Sequence, residues 1–117
     1  MSDVHLSNSA ARRLWLERHG LFYSPTGPLD VPQIGHALGF VQLDSIRHVE
    51  RAHDHILWSR NQSYRAGGLD KHLQERDFFE HFTHDASLIP MQFLPMWQRQ
   101  FQRHAEKIVQ AGWWKNM

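Results

Sequence analysis

The segment Gln42-Leu43-Asp44 holds residues whose types and spacing could do chemistry. Residues 40–44 alternate apolar and polar side chains, which predicts a half-buried strand with Gln42 and Asp44 on one face. Their Cβ atoms would then lie about 7 Å apart, close enough to hold one water or one reacting carbon. Asp44 could deprotonate a water and stabilise a cationic sugar, while Gln42 could position that water, which suits hydrolysis. Taken alone, the tripeptide favours a simpler interpretation, a solvated Gln and an Asp that caps the next helix.

Capping residues predict two helices before this strand. Ser7-Asn8-Ser9 offers N-caps for a helix over about Ala10 to His19, with Gly20 as its stop. Prolines and a glycine within residues 21–29 predict a loop. Asp30 can cap a second, shorter helix that ends at Gly39.

Helical spacing returns after the strand. An amphipathic helix is predicted over Ser45 to Trp58. Its apolar stripe comprises Ile46, Val49, Ala52 or His53, Ile56 and Leu57. Residues 61–68 then read as a loop, and Asp70 can cap a short helix over Lys71 to Glu75.

The last part of the chain predicts a hairpin and a final helix. Phe78 to Phe82 and Ala86 to Met91 are short apolar segments, and the polar residues 83–85 between them indicate a turn. The final helix is expected over about Pro95 to Ala111 with Gly112 at its end, and its core-facing stripe is Trp97, Phe101, Ala105 and Ile108. Together the elements predict a single α+β domain over residues 1–117 of the winged-helix type, a helix-turn-helix beside a small antiparallel sheet.

Composition excludes several classes of protein. The 117 residues are 41% hydrophobic, which argues against a disordered or collagen-like chain. No apolar run approaches the roughly 18 residues of a membrane span, and the first ten residues do not form a secretory signal, so a cytoplasmic protein without a membrane partner is expected. The absence of cysteine excludes a disulfide framework, a thiolate zinc site and a cysteine nucleophile.

Charge and histidine content are less decisive. Thirteen Lys and Arg against twelve Asp and Glu leave a net charge of +1, but ten of the thirteen cations are arginine, which suits phosphate recognition. The histidine-rich segment 48–55 lacks the spacing that puts two imidazoles one helical turn apart, and His81 and His84 would point to opposite faces of a hairpin. The sequence therefore predicts neither a metal nor another cofactor.

A set of motifs in one order resembles the AlkZ/YcaQ family of winged-helix DNA glycosylases. The resemblance spans roughly Gln33 to Pro90. It is carried by residues 38–46 together with Val49, Arg51, residues 57–60, Tyr64, residues 79–86 and Pro90. This ordered set is much more specific than the tripeptide alone.

The resemblance implies both an activity and a site. Members of this family excise bulky N7-alkylated purines, including interstrand crosslinks, and their signature of Gln, an apolar residue and Asp falls here on Gln42, Leu43 and Asp44. They are longer chains of tandem winged-helix domains. We therefore expect an N-terminal fragment whose missing C-terminal domains complete the DNA cradle, and whose glycosylase activity depends on the full-length chain.

The residues themselves are compatible with that activity. An N7-alkylguanine is already cationic, so its glycosidic bond needs little acid assistance, and a group that stabilises the oxocarbenium ion and guides a water suffices. Because no lysine stands near Asp44 in the sequence, a monofunctional glycosylase that excises the base without cutting the strand is expected.

Four residues are candidates for contacts with double-stranded DNA: Arg47, Arg51, Arg60 and His84. Alternatives stay open for each. Arg47 could instead pair with Glu50 and Arg51 with Asp54, and His84 could serve only the turn. If they bind DNA, the arginines would contact its phosphates close to Asp44.

Two other functions are compatible with the sequence. One is a non-catalytic winged-helix DNA-binding module, in which the arginines act and Gln-Leu-Asp is incidental. The other is a protein-interaction domain with Trp113 and Trp114 as the contact patch. A DNA glycosylase or a DNA-binding module would be expected in the cytoplasm, associated with the nucleoid.

Overall fold

The computed structural model describes residues 2–112 and Lys115, and this part of the chain contains five helices and three strands. The helices are α1 (Asn8–Arg18), α2 (Val31–Leu38), α3 (Ala52–Trp58), α4 (Asp70–Gln74) and α5 (Leu94–Ala111). The strands are β1 (Val41–Gln42), β2 (Phe78–Phe82) and β3 (Ala86–Pro90), and a 3₁₀ turn, Met91–Phe93, leads into α5.

The three strands form one antiparallel sheet in the order β1-β3-β2. Gln42 lies opposite Ser87, and Phe79 lies opposite Ile89. From α2 to β3 the elements run helix, strand, helix, helix, strand, strand, and the β2–β3 hairpin forms the wing. The predicted α+β, winged-helix-like fold and its hairpin are therefore confirmed.

Caps place the early helices where the sequence predicts them. The Ser7 hydroxyl accepts a hydrogen bond from the amide of Ala10, and the Asp30 carboxylate accepts one from the amide of Gln33. Gly39 ends α2 with a φ of 89°, a conformation that favours glycine. Asp70 was expected to cap α4 but is its first residue, because the buried side chain of Leu69 holds the cap position and the Asp70 amide donates to the carbonyl of Gly67.

The predicted helix over residues 45–58 is wrong in its first half, since α3 begins at Ala52. The Asp44 carboxylate accepts a hydrogen bond from the amide of Ile46, and this local bond offers the backbone an alternative to the helix. A backbone bridge between Arg47 and Arg51 then closes a loop. The apolar stripe of this half is consequently exposed, with Ile46 at 66% and Val49 at 78%.

The core lies between the sheet and helices α2 to α4. Its buried members are Val31, Val41, Leu57, Tyr64, Leu69, Phe78 and Leu88. Gly35 on α2 lies directly against the ring of Phe78, so the helix sits close to the sheet. This packing fixes β1, and with it the residues that follow β1.

Helix α5 packs on the hairpin through the rings of Trp97, Phe101 and His104. The ring of Phe101 stacks on His81 with centroids 4.9 Å apart and meets Phe79 edge to face. No residue of α5 is buried, and Ile108 is 46% exposed, so the prediction of a core-facing stripe is wrong for its far end. The described part of the chain is elongated, with a radius of gyration of 17.9 Å against about 13 Å for a compact domain of this length.

Two further predictions concern a protein-contact patch and the absence of a membrane span. Trp113 and Trp114, the suggested protein-contact patch, lie outside the described residues. None of the helices described here combines the length and apolar character needed to cross a bilayer.

Candidate active site

Gln42 and Asp44 line one cleft beside the edge strand of the sheet. Gln42 ends β1, and the ladder continues for one residue because the amide of Leu43 donates to the carbonyl of Ala86 at 2.8 Å. The side chain of Leu43 packs against the core. The cleft has a volume of about 430 Å³ and is completed by Ser45, Ile46, Asp85 and Ala86. The structure thus brings together the two residues that the sequence singled out.

One of the two oxygens of the Asp44 carboxylate is hydrogen-bonded within the described residues. Its Oδ1 accepts a hydrogen bond of 2.8 Å from the amide of Ile46, while its own amide donates to Nδ1 of His53 at 3.3 Å. Within the described residues Oδ2 has no hydrogen-bond partner. Asp44 is therefore held in place through one oxygen and can accept a proton or face a positive charge with the other. The prediction that Asp44 caps a helix is wrong, because no helix starts there.

His84, at the tip of the hairpin, contacts Gln42 beside the cleft. Its Nε2 lies 3.0 Å from Oε1 of Gln42, and its ring meets the ring of Phe40 edge to face, with centroids 5.9 Å apart. The Nδ1 of His84 lies 3.2 Å from the hydroxyl of Thr83. Two residues that are 42 positions apart in the sequence thus form one polar group.

His53 is a site residue that the sequence reasoning missed. The spacing of the histidines in segment 48–55 speaks only to metal binding, whereas in the structure His53 contacts the backbone of Asp44. The available signal was the helical stripe, in which residue 53 shares a face with Ile56. That face packs toward the core and toward the end of β1.

Asp85 places a second carboxylate in the cleft. Its Oδ1 accepts a hydrogen bond of 2.8 Å from the amide of Ala86, a local bond that shapes the hairpin turn. Sequence reasoning assigned this residue to the turn only. Its presence provides a charge-matched comparison for Asp44.

The three candidate arginines have different surroundings. Arg47 forms an ion pair of 2.8 Å with Glu50, which was the alternative considered for it, although in a loop rather than on a helix. Arg51 is exposed at the start of α3, and its side chain makes no hydrogen bond or ion pair with residues 2–112 or Lys115. Asp54, its suggested partner, is bonded elsewhere.

Arg60 differs from both because its guanidinium is partly buried. It donates to the carbonyls of His19 and Ile56 at 2.9 and 3.0 Å, and its burial lowers the pKa of the guanidinium. Arg60 thereby ties the end of α1 to the end of α3. It does not line the cleft of Asp44.

A larger cavity, about 930 Å³, lies beside α3 and the loop over residues 61–66. Its buried acid, Asp54, accepts a hydrogen bond of 2.6 Å from the hydroxyl of Tyr64. Burial and the bond to Asp54 raise the pKa of Tyr64. Asp54 and Tyr64 therefore provide each other with a hydrogen-bond partner inside the core.

Potential metal ligands gather at one place in the described chain. Atoms of His72, Glu75 and Asp77 lie within 4.8 Å of one another, and Nδ1 of His72 is 2.8 Å from Asp77. These residues surround the end of α4, and none of them lines the cleft of Gln42 and Asp44. They fix the turn between α4 and β2.

Comparison with known proteins adds one match. The family model described as DNA glycosylase AlkZ-like matches residues 36–116. This range contains Gln42, Asp44 and His84 and leaves α1 outside. No solved structure matches the chain.

Proposed function

Because the chain belongs to the AlkZ-like DNA glycosylase family, we propose that it hydrolyses the N-glycosidic bond of N7-alkylated purines or crosslinked guanines in double-stranded DNA. The proposal depends on one observation above all. Gln42 and Asp44 share a cleft in which Asp44 is held through Oδ1 and keeps Oδ2 for a ligand. An amide and a carboxylate placed in this way are sufficient to hold a water beside a cationic sugar.

The chemistry follows from the charge of the substrate. In an N7-alkylguanine the bond between C1′ and N9 breaks with its electron pair moving to N9, which neutralises the base. Asp44 stabilises the positive charge left on the sugar, and a water attacks C1′ while it gives a proton to Asp44 Oδ2. No cofactor is required for these steps.

A monofunctional reaction is proposed because an amine nucleophile is not at hand. The lysines of the sequence are Lys71, Lys107 and Lys115, and none of them lines the cleft. Strand cleavage by glycosylases that use an amine proceeds through a covalent imine with the sugar. The expected product is therefore an intact strand with one abasic site.

Contacts with DNA are proposed for the loop and the hairpin around the cleft. The Arg51 guanidinium makes no hydrogen bond or ion pair with the described residues, Arg47 is exposed although paired with Glu50, and His84 lies at the exposed hairpin tip. Arg60 stays a weaker candidate since its Nε and Nη1 donate to carbonyl oxygens. A protein that acts on DNA in this way would work in the cytoplasm at the nucleoid.

The alternative of a non-catalytic DNA-binding module has less support. In a helix-turn-helix protein the second helix of the motif enters the major groove and supplies the side chains that contact the bases. Here that position is held by α4, which has five residues and one basic side chain that suits phosphate or base contact, Lys71. The glycosylase proposal gives the cleft a role that the module does not.

Single-turnover release of the base from a duplex with one N7-alkylguanine tests the proposal. Release of the base is expected from the wild-type chain or from a longer product of its reading frame, and Asp44→Asn in the active protein should slow release at least about a hundredfold while DNA binding persists. Asp85→Asn is the matched control, because it removes the same charge from the same cleft and keeps Oδ1. Its rate should stay within about threefold of wild type.

Two results would contradict the proposal. An Asp44→Asn protein that excises at the wild-type rate removes Asp44 from the mechanism. DNA binding without base release, in both the chain and any longer product, favours the DNA-binding module instead.

A further inference from the structure

The contact between His84 and Gln42 assigns a direction to the Gln42 amide. Gln42 is fixed at its backbone by β1, but its side chain is free to present either oxygen or nitrogen to the cleft. In the structure Oε1 points to Nε2 of His84 at 3.0 Å. An amide oxygen only accepts, so Nε2 of His84 must carry a proton.

The hydroxyls of the hairpin turn are consistent with this proton. The Nδ1 of His84 lies 3.2 Å from the hydroxyl of Thr83, and a hydroxyl can donate to an unprotonated ring nitrogen or accept from a protonated one. The Thr83 hydroxyl also lies 3.0 Å from the Ser87 hydroxyl, and whichever group donates in its contact with Nδ1, Nε2 of His84 keeps the proton that it donates to Gln42. Phe40 restrains the ring from the side, with centroids 5.9 Å apart.

We propose that His84 is a positioning residue for the glycosylase reaction and that it sets Gln42 to present its amide nitrogen, not its oxygen, to the cleft. This inference rests on the proposed function. With Oε1 held by His84, an N–H of Gln42 donates to one lone pair of the attacking water. Asp44 Oδ2 accepts a proton from the same water. The second lone pair of the water oxygen then forms the bond with C1′.

A purely structural role explains the contact less well. His84 is exposed at the hairpin tip, and its partner Gln42 is half-buried at the end of an edge strand. Hydrogen bonds at such exposed sites add little to folding because water competes for both groups. The ladder between β1 and β3 is already closed by Val41, Gln42 and Leu43.

Two substitutions at residue 84 separate the donor from the ring. His84→Phe keeps an aromatic ring against Phe40 but has no donor, whereas His84→Gln restores an N–H at a reach similar to that of Nε2. We expect His84→Phe to lower the single-turnover rate at saturating protein about tenfold, an effect that is separate from any loss of DNA affinity, which saturation removes from the comparison. His84→Gln should recover most of that rate.

A double-mutant cycle identifies the residue through which His84 acts. In a Gln42→Ala protein, His84→Phe should cause no further loss of rate, because the group that it positions is gone. Losses that multiply would overturn the inference and leave the proposed function intact. Thermal unfolding of each variant checks that the fold persists.

The ring proton of His84 can be observed directly by nitrogen NMR of the imidazole in the protein without DNA, with the His84→Phe variant assigning the signal. A proton on Nε2, with a signal that shifts in Gln42→Ala, is the expected result. A proton on Nδ1 alone would overturn the inference. Since this measurement needs no excision, it tests the contact even if neither the wild-type chain nor a longer product releases the base, a result that would instead reject the proposed function.

Discussion

Nδ1 of His53 accepts a hydrogen bond from the backbone amide of Asp44, with the two nitrogens 3.3 Å apart. The bond joins the loop after β1 to the first turn of α3. Because a ring nitrogen accepts only without a proton, neutral His53 carries its proton on Nε2, which lies 3.8 Å from Oδ2 of Asp54. A side chain of α3 thus holds the backbone of the proposed catalytic carboxylate.

Replacing His53 should slow base release without unfolding the protein. His53→Phe removes the acceptor for the Asp44 amide, and a small displacement of the carboxylate is expected to lower the single-turnover rate about tenfold. His53→Asn places a carbonyl oxygen near the position of Nδ1 and should recover part of the rate. Equal rates for the Phe and Asn proteins would show that the bond to Asp44 has no effect.

Alkaline titration should find Tyr64 protonated as long as the fold persists. Burial raises the pKa of Tyr64, and the bond to Asp54 raises it further. The unfolded chain then loses its phenolic proton first, near pH 10, so the free energy of unfolding falls as the pH rises above that value. In a Tyr23→Phe protein, which keeps Tyr64 as the one remaining tyrosine, phenolate absorbance should appear only together with the loss of circular dichroism. Phenolate in a folded protein would contradict this.

Gly35→Ala should destabilise the fold although alanine favours helices. An added Cβ would stand 2.5 Å from Cε1 of Phe78, a ring that is only 3% exposed and cannot move aside freely. We expect a loss of about 1–3 kcal/mol in the free energy of unfolding, measured by denaturant titration. Phe78→Leu should cost less in the Gly35→Ala protein than in wild type, because the smaller side chain makes room. A more stable Gly35→Ala protein would show that the helix stands farther from the sheet.

Arg51 and Arg60 should respond differently to replacement by alanine. Since the Arg51 side chain makes no polar contact with residues 2–112 or Lys115, Arg51→Ala should leave the melting temperature unchanged and reduce the slope of log K against log salt for DNA binding by about one. Arg60→Ala removes donors to His19 and Ile56 and should lower the melting temperature with the slope unchanged. A reduced slope for Arg60→Ala would place that residue at phosphate after all.

Local signals in the sequence predict much of this fold. Ser7, Asp30 and Gly39 mark helix ends through bonds with near neighbours, and the hairpin follows from two apolar segments and a polar turn. The loop over residues 45–51 escapes such reasoning. Its apolar spacing is helical, but side-chain bonds from Asp44 and Arg47 compete with the helix.

Only some residues of the candidate site could be predicted from the sequence. Gln42 and Asp44 are two positions apart in the sequence, and the resemblance to a family points to both. His53 and His84 reach them only through tertiary structure, and their part is visible only once α3 and the hairpin are packed against β1. The far end of α5 was expected in the core, yet Ile108 is 46% exposed.

The central place of β3 also bears on the order of folding. The short strand β1 pairs only with β3, whereas β2 and β3 are joined by a tight turn and pair along five residues. A nearby hairpin closes with a small loss of chain entropy, while the contact between Gln42 and His84 must close a loop of some forty residues. We therefore expect the hairpin to form early and the cleft to assemble late, so that an intact cleft is a sign of completed folding.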